Sequence, residues 1–392
     1  MREVMKTPRP DVEKIKTSEY KRAGHIPIFD QGSESVAGYT DNMRAEYHGK
    51  LPAILFGDHT LILNLVKKQF ALGADGVQVL EPEESLFDRK FFYYALKGLK
   101  VKSYGYERHL KYLRELEITC PDINDQKRIA SILSTFDNKI ELNNKISKNL
   151  EQTAQAIFKE WFIKFKYPGH EKVKIVDSEL GKIPKRWEVK SWGDLEGVSV
   201  AGDWGEGISS DVCAESVYIL RGTDIPALKA GSKGECPIRY LAKESLQKRK
   251  LKPGDIVVEI SGGSKDQPTG RSLYITEDIL KRFELPLVCT SFCRLVRSNN
   301  ILSSILMFLH LDRLYKTKKI WNYQLQSTGI SNFQYGQFRE YEKLIVPPPE
   351  IQEIVSDVLI SCIQYSHRNE NQKLAALRDL LLPKLMSGEI RV

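Results

Sequence analysis

From Ile129 to Trp161 the apolar residues recur in alternating steps of three and four: Ile129, Leu133, Phe136 and Ile140, then polar Asn143 and Ser147, then Leu150, Ala154, Ile157 and Trp161. This is a heptad seam, and it predicts a long helix that needs a partner helix. Ile351, Val355, Val358, Cys362 and Tyr365 follow the same rhythm near the other end of the chain, then polar Asn369 and Gln372, then Ala376. Both seams turn polar in the middle, as facing helices do when polar layers fix their register. About 40 helical residues reach on the order of 60 Å. Such a pair reads as a spacer.

The two helices belong to a longer repeat. Arg114-Glu115-Leu116-Glu117-Ile118-Thr119-Cys120-Pro121, with Gln126 beyond, aligns with Glu340-Tyr341-Glu342-Lys343-Leu344-Ile345-Val346-Pro347 and Gln352. Each copy predicts a short apolar strand that runs into proline before a long helix begins. Tyr167-Pro168-Gly169-His170 ends the first helix, and a new domain opens near Gly181-Lys182-Ile183-Pro184-Lys185-Arg186-Trp187. Strand-type runs follow at Tyr218–Ile225, Gly254–Gly263 and Val288–Val296, then a helical run at Ile301–Lys316. The first domain shows the same order in brief: Ile54–Thr60, Gly73–Leu80, then a helix through Phe91 to Leu99. The expected fold is α+β. Its divisions are a first domain over residues 1–122, a central helix over 123–167, a second domain over 168–346 and a C-terminal helix over 347–392.

Composition sharpens this picture only modestly. A chain of 392 residues with 41% hydrophobic content can bury more than one core. No run approaches the roughly 20 apolar residues of a membrane span, and Met1-Arg2-Glu3 opens no signal peptide, so the expectation is a cytoplasmic protein with no membrane partner. The six cysteines are scattered without CxxC pairs, which predicts reduced thiols and no metal site. Cys289 and Cys293 lie four apart, but in a β-branched run that reads as strand. A net charge of +8 suits an anionic partner such as DNA.

Several segments together resemble the specificity subunits of type I restriction-modification systems, over nearly the whole chain. In the first domain they are Phe29-Asp30-Gln31-Gly32, Ala37-Gly38-Tyr39-Thr40-Asp41, Phe56-Gly57-Asp58-His59-Thr60 and Gly73-Ala74-Asp75-Gly76-Val77. In the first helix they are Asp125–Ala130, Phe136–Ile140 and Ala156–Phe162, and the ending Leu380–Ile390 is similar too. The resemblance implies two target recognition domains, each reading one half of a bipartite site in double-stranded DNA, separated by two long antiparallel conserved helices. It implies two modification (methyltransferase) subunits and restriction (translocase-nuclease) subunits as partners. S-adenosylmethionine, ATP and Mg²⁺ are expected on those partners, and no cofactor on this chain. Pro184–Val189 opens the second domain but has no counterpart ahead of Met1. Either an opening strand precedes this sequence or the chain starts later than most relatives, and recognition of the first half-site suffers if that strand is needed.

The chemistry legible in the chain is recognition. Pro347-Pro348-Pro349 lacks the Asn/Asp-Pro-Pro-aromatic motif that holds a flipped adenine, and Gly262–Ser272 fails the phosphate-loop pattern. Asp122, Asp125 and Lys127 are too compressed for a Mg²⁺ nuclease site, and Asp122 or Asn124 is expected to cap a helix. Base reading needs Arg, Lys, Asn or Gln on loops. The candidate DNA-binding residues are His59, Lys67, Lys68, Lys102, Tyr104, Tyr106, Arg108 and His109 in the first domain. In the second they are Lys265, Gln267, Arg271, Lys316, Lys318, Lys319, Tyr323, Gln324 and Gln326, with Trp321 and Asn322 in the same run. Phe158, Trp161 and Phe162 form an aromatic end expected to bind a partner subunit, with packing on the second domain as the alternative. The functional expectation is a non-catalytic DNA-specificity subunit. Its rivals are the specificity module of a related fused restriction-methylation system and a stand-alone nuclease.

Overall fold

The computed structural model describes residues 1–32, 36–73, 76–103, 105, 107–264, 267–327, 330–368 and 370–392. The chain forms two compact units, one of Met1–Lys139 with Leu374–Val392, the other of Ile140–Lys373.

In the first unit, Ala53–Gly57 is buried along its whole length, as a central strand covered on both faces must be. Val77–Pro82 and Leu63–Val66 flank it antiparallel, and Met5–Lys6 adds to the outer side of Val77–Pro82. The helix Arg89–Gly98 starts where the Asp88 carboxylate accepts the N–H groups of Lys90 and Phe91. Its buried Phe91, Phe92 and Tyr94 join Ile54, Phe56 and Leu80 in one core with Leu133 and Leu382. A second sheet sets Ile26–Phe29 between antiparallel Gly38–Thr40 and parallel Ala71–Leu72.

The second unit repeats this topology strand for strand. Glu196–Ala201, Cys293–Ser298, Ile256–Glu259 and Ser272–Tyr274 form an antiparallel sheet in the same order. Glu215–Leu220 lies between antiparallel Ile238–Leu241 and parallel Leu287–Cys289. The helix Ile301–Lys316, capped by Asn300, takes the place of Arg89–Gly98. Leu287–Val296 is thus two strands joined by a turn, and burial pushes the Cys289 thiol up to about 12.

The central helix runs Ile123–Phe158 and widens into a π-helical turn at Lys159–Ile163. Asp122 accepts the N–H of Asn124, the expected cap. Every predicted seam position from Ile129 to Trp161 is buried or half-buried. Within the first unit Leu133 packs with Leu382 and Leu385, and Arg378 pairs with Asp137. Within the second, the Asn143 amide donates to Glu370 and Asn371, and the Asn371 amide donates to Asn144. The numbering falls on one helix as it rises on the other, so the pairing is antiparallel; the polar layer forms through Glu370 and Asn371 and not through the expected Gln372, which is exposed, and Asn369 lies outside the described residues.

The C-terminal helix departs from expectation. It is two helices, Pro349–Ser366 and Glu370–Met386. At the break the Arg282 guanidinium donates to the carbonyl of His367, which therefore needs no helical N–H. The seam shifts as well. Val355, Leu359, Cys362 and Ile363 are buried, whereas Val358 and Tyr365 are half exposed.

The sequence repeat also survives in atomic detail, with one gap. Gln126 Nε2 donates to the Pro121 carbonyl at 2.9 Å, and Gln352 Nε2 donates to Pro347 at 2.8 Å. The amino group of Met1 donates to Leu116 O as the Trp192 N–H donates to Glu342 O. Between these matched points, Lys343–Val346 is a strand paired with Glu188–Ser191. Residues 116–122 hold no strand, a correction to the expected symmetry, because nothing among the described residues stands where Glu188–Ser191 stands.

Candidate nucleic-acid interface

Three sequence segments of the first unit converge on Gln31. A Cβ on Gly57 would meet Gln31 Cβ at 3.1 Å, and one on Gly76, whose φ is +105°, would meet Gln31 Oε1 at 2.6 Å. Gly76 thus leaves room for the Gln31 amide, and Gly57 leaves room for Thr60 and the base of the Gln31 side chain. Gln31 Oε1 is buried without a hydrogen-bond donor. Sequence reasoning quoted these segments but did not single out Gln31. The glycines either side of a polar strand end were the available signal.

Next to this point Asp58 ties two loops together. One carboxylate oxygen accepts the Leu110 N–H at 2.7 Å, and its carbonyl accepts the His109 N–H at 2.8 Å. His109 Nδ1 lies 2.9 Å from the same carbonyl. His109 is wholly buried, so the expectation that it meets DNA is corrected: its ring is a strut between loops. His59, half-buried, has Nδ1 3.1 Å from the Glu107 carbonyl. That bond draws the loop carrying exposed Lys102 and Arg108 toward the end of Ala53–Gly57. Lys68 is exposed, while Lys67 reaches Asn138 of the central helix at 2.7 Å. Tyr104 and Tyr106 lie outside the described residues.

In the second unit the two predicted segments do come together. Ser261–Gly263 pairs with Ile330–Phe333, which pairs with Gln324–Ser327. The side chain that locks this small sheet is Gln324. Its amide donates to the carbonyls of Thr269 and Ile320, and its Oε1 accepts from the Thr269 N–H and from the hydroxyls of Thr269 and Ser331. Thr269 and Ser331 are completely buried. An amide used on both sides has nothing left for a base, so Gln324 is corrected to a structural role.

Two further candidates are corrected for the same reason. Arg271 makes a two-bond ion pair with Glu259, whose side chain is 3% exposed. The Tyr323 hydroxyl donates to Glu342 at 2.7 Å, and burial, then that carboxylate, raises its pKa. What faces solvent is Gln267, Lys316, Lys318, Lys319 and Asn322. Lys316 is held 2.8 Å from Asp312. Lys318, at φ +62°, turns the chain out of the helix in the left-handed region. Lys265 lies outside the described residues, and Gln326 stands in the strand Gln324–Ser327.

The geometry adds groups that periodicity could not find. Phe292 is 61% exposed, and its carbonyl accepts the N–H groups of Ile260 and Ser261, which seats the ring beside the small sheet. Elsewhere, Arg239 of the strand Ile238–Leu241 stacks 4.6 Å from the partly exposed Trp204 ring. Exposed aromatic rings, one of them backed by a half-buried guanidinium, suit stacking or wedging on nucleic acid.

The aromatic end of the central helix is core. Phe158 and Phe162 are buried and stack at 5.3 Å, and Phe162 meets Trp187 at 5.8 Å. They pack on the second unit, the alternative reading, and their expected partner contact is corrected. Trp161 is half-buried against the same core.

Residues 11–152 match the family model described as the type I restriction modification DNA specificity domain. The type I restriction enzyme MjaIX specificity subunit of Methanocaldococcus jannaschii is 29% identical over 328 residues, covering 81% of this chain and 70% of that protein. The HindI specificity subunit of Haemophilus influenzae is 24% identical over 336 residues, covering 70% of this chain and 69% of that one. Among solved structures, the type I S subunit of M. genitalium matches at TM-score 0.57 and 17% identity, covering 98% of this chain and 94% of that one. That likeness establishes the fold.

Proposed function

We propose that the chain acts as the specificity subunit of a type I restriction-modification system, the proteins it is similar to, and that it reads a bipartite target in double-stranded DNA, one half-site with each unit. The observation that carries this is the duplication: two units of one sheet topology, each continuous with a paired antiparallel helix. A single reading domain has no need of it. Each unit presents solvent-facing cations on loops held by buried struts, Asp58 with His109 in the first and Gln324 in the second. Lys68, Lys102, Arg108, Lys318 and Lys319 hold phosphates in this reading, and Gln267 and Asn322 reach base edges.

The chain does no chemistry of its own in this proposal; two modification subunits and the restriction subunits supply methylation, ATP hydrolysis and cleavage. Trp161 and the exposed faces of the helices are where those partners bind. No helix among the described residues is long and apolar enough to cross a membrane, and a cytoplasmic site of action agrees with a DNA target.

The test is co-expression with the modification subunit encoded beside it, followed by single-molecule mapping of N6-methyladenine. A bipartite motif with a fixed gap, lost when this chain is deleted, is expected. A motif that persists without the chain would reject the reading. Purified chain with Mg²⁺ should leave plasmid DNA intact; cutting that tracks the chain through purification would favour the stand-alone nuclease.

A further inference from the structure

The second unit contains a cavity of about 460 Å³ with a polar end and an apolar body. Phe162, Leu306, Leu314 and Leu344 line its body. At the polar end stand Arg313, Lys319, Asn322 and the triad His310, Glu342 and Tyr323. The triad is internally satisfied: one Glu342 oxygen meets His310 Nε2 at 2.6 Å, the other accepts the Tyr323 hydroxyl at 2.7 Å. Arg313 is not. Its Nε is buried without a hydrogen-bond acceptor, and its guanidinium makes no ion pair among the described residues. A buried guanidinium donor left bare is costly, and native folds rarely tolerate that without a reason.

We propose that this cavity is a binding site for a small organic anion with an apolar body, its carboxylate or phosphate taken by Arg313 and its body laid against Phe162, Leu306 and Leu314. The volume falls in the range of small-ligand pockets, which join apolar walls to a few convergent polar groups. Both Glu342 oxygens are taken by His310 and Tyr323, and the Arg313 charge acts on that carboxylate without an ion pair between them, so the Arg313 donors are left for the ligand. Lys319, exposed at the cavity lining, and its sequence neighbour Lys318 are the cations proposed above to hold phosphates, which makes a DNA phosphate the rival occupant and a duplex the necessary competitor.

The experiment is a fluorescence titration of the full chain with 8-anilinonaphthalene-1-sulfonate, an aromatic monoanion of suitable size. One saturable site per chain is expected. Arg313→Gln should weaken it tenfold or more, as loss of a charge-assisted hydrogen bond does. Leu180, 46% exposed at the cavity rim, gives a variant that leaves the core alone, and Leu180→Glu should weaken the probe through like-charge repulsion. Both variants should unfold at wild-type temperature, and a short DNA duplex should not displace the probe. Absence of saturable binding, wild-type affinity in Leu180→Glu, or stoichiometric displacement by duplex would each overturn the proposal, the last by assigning Arg313 to DNA.

Discussion

At the scale of single residues, the side chains that look most like readers of DNA divide by what already holds them. Gln324 and Lys319 are five residues apart and both polar, yet one is saturated by Thr269, Ser331 and Ile320 and the other is exposed. Gln324→Ala should therefore destabilise the chain by roughly 2 kcal/mol or more, because it strands the buried Thr269 N–H, while leaving half-site preference unchanged in the fraction that folds. Lys319→Ala should do the opposite: unaltered stability, weaker binding to every sequence alike, and a salt dependence shallower by about one phosphate contact. Denaturant unfolding and binding isotherms at several salt concentrations separate the two. His367 makes a third prediction. It is wholly buried at the break in the C-terminal helix, and burial, then the charges of Lys229 and Arg282, lowers its pKa to about 3. Between pH 6.5 and about 3 the unfolded chain therefore binds a proton that the folded chain refuses. Its contribution is complete above pH 6.5 and is lost as pH falls, by up to about 1.4 kcal/mol per pH unit. His367→Gln should flatten that part of the stability profile measured by urea unfolding.

At the scale of elements, helices were the most legible and strand partners the least. The seam from Ile129 to Trp161 and the helix Ile301–Lys316 fall where periodicity puts them, since a 3.6-residue period is carried by the helix itself. A strand needs a neighbour. Leu116–Cys120 has the apolar pattern of Glu342–Val346 and the same proline after it, but only the second has Glu188–Ser191 to pair with. The two-piece C-terminal helix was equally hidden, because its break depends on Arg282, far off in sequence. So too was the fate of the site residues: Arg271 is taken up by Glu259, twelve residues away, whereas Gln267 is left exposed. Whether residues 117–120 pair when a neighbour is supplied can be tested directly. A chain extended ahead of Met1 by the sequence Lys185–Ser191 should pair the extension antiparallel to Glu117–Cys120, since Met1 already donates to Leu116 as Trp192 does to Glu342. The melting temperature should rise by several degrees, and amide exchange at Ile118 and Cys120 should slow. An extension that leaves both unchanged would show that the two runs differ in more than a missing neighbour.

At the scale of the whole molecule, the helical pair turns residue count into DNA distance if it sets the separation of two half-sites. Four residues inserted between Glu141 and Leu142, with four more between Gln372 and Lys373, keep Asn143 opposite Asn371 and lengthen both helices equally. Each insert adds about 6 Å and a rotation of about 40°, at the cost of a local change in supercoiling. On the DNA, one base pair adds about 3.4 Å and about 34°, and two add about 7 Å and about 69°. Rise favours two and rotation favours one, so the methylated motif should keep both half-sites and widen its gap by one or two base pairs. A seven-residue insert lengthens the pair by about 10.5 Å but turns it by only about 20° backwards, which matches no small number of base pairs in both respects. It should weaken methylation more than the four-residue insert does, although it preserves the heptad better. That inversion, the better coiled coil giving the worse enzyme, is what distinguishes a ruler read by DNA from a helical pair that merely needs to be stable, and an unchanged gap in the four-residue variant would reject the ruler.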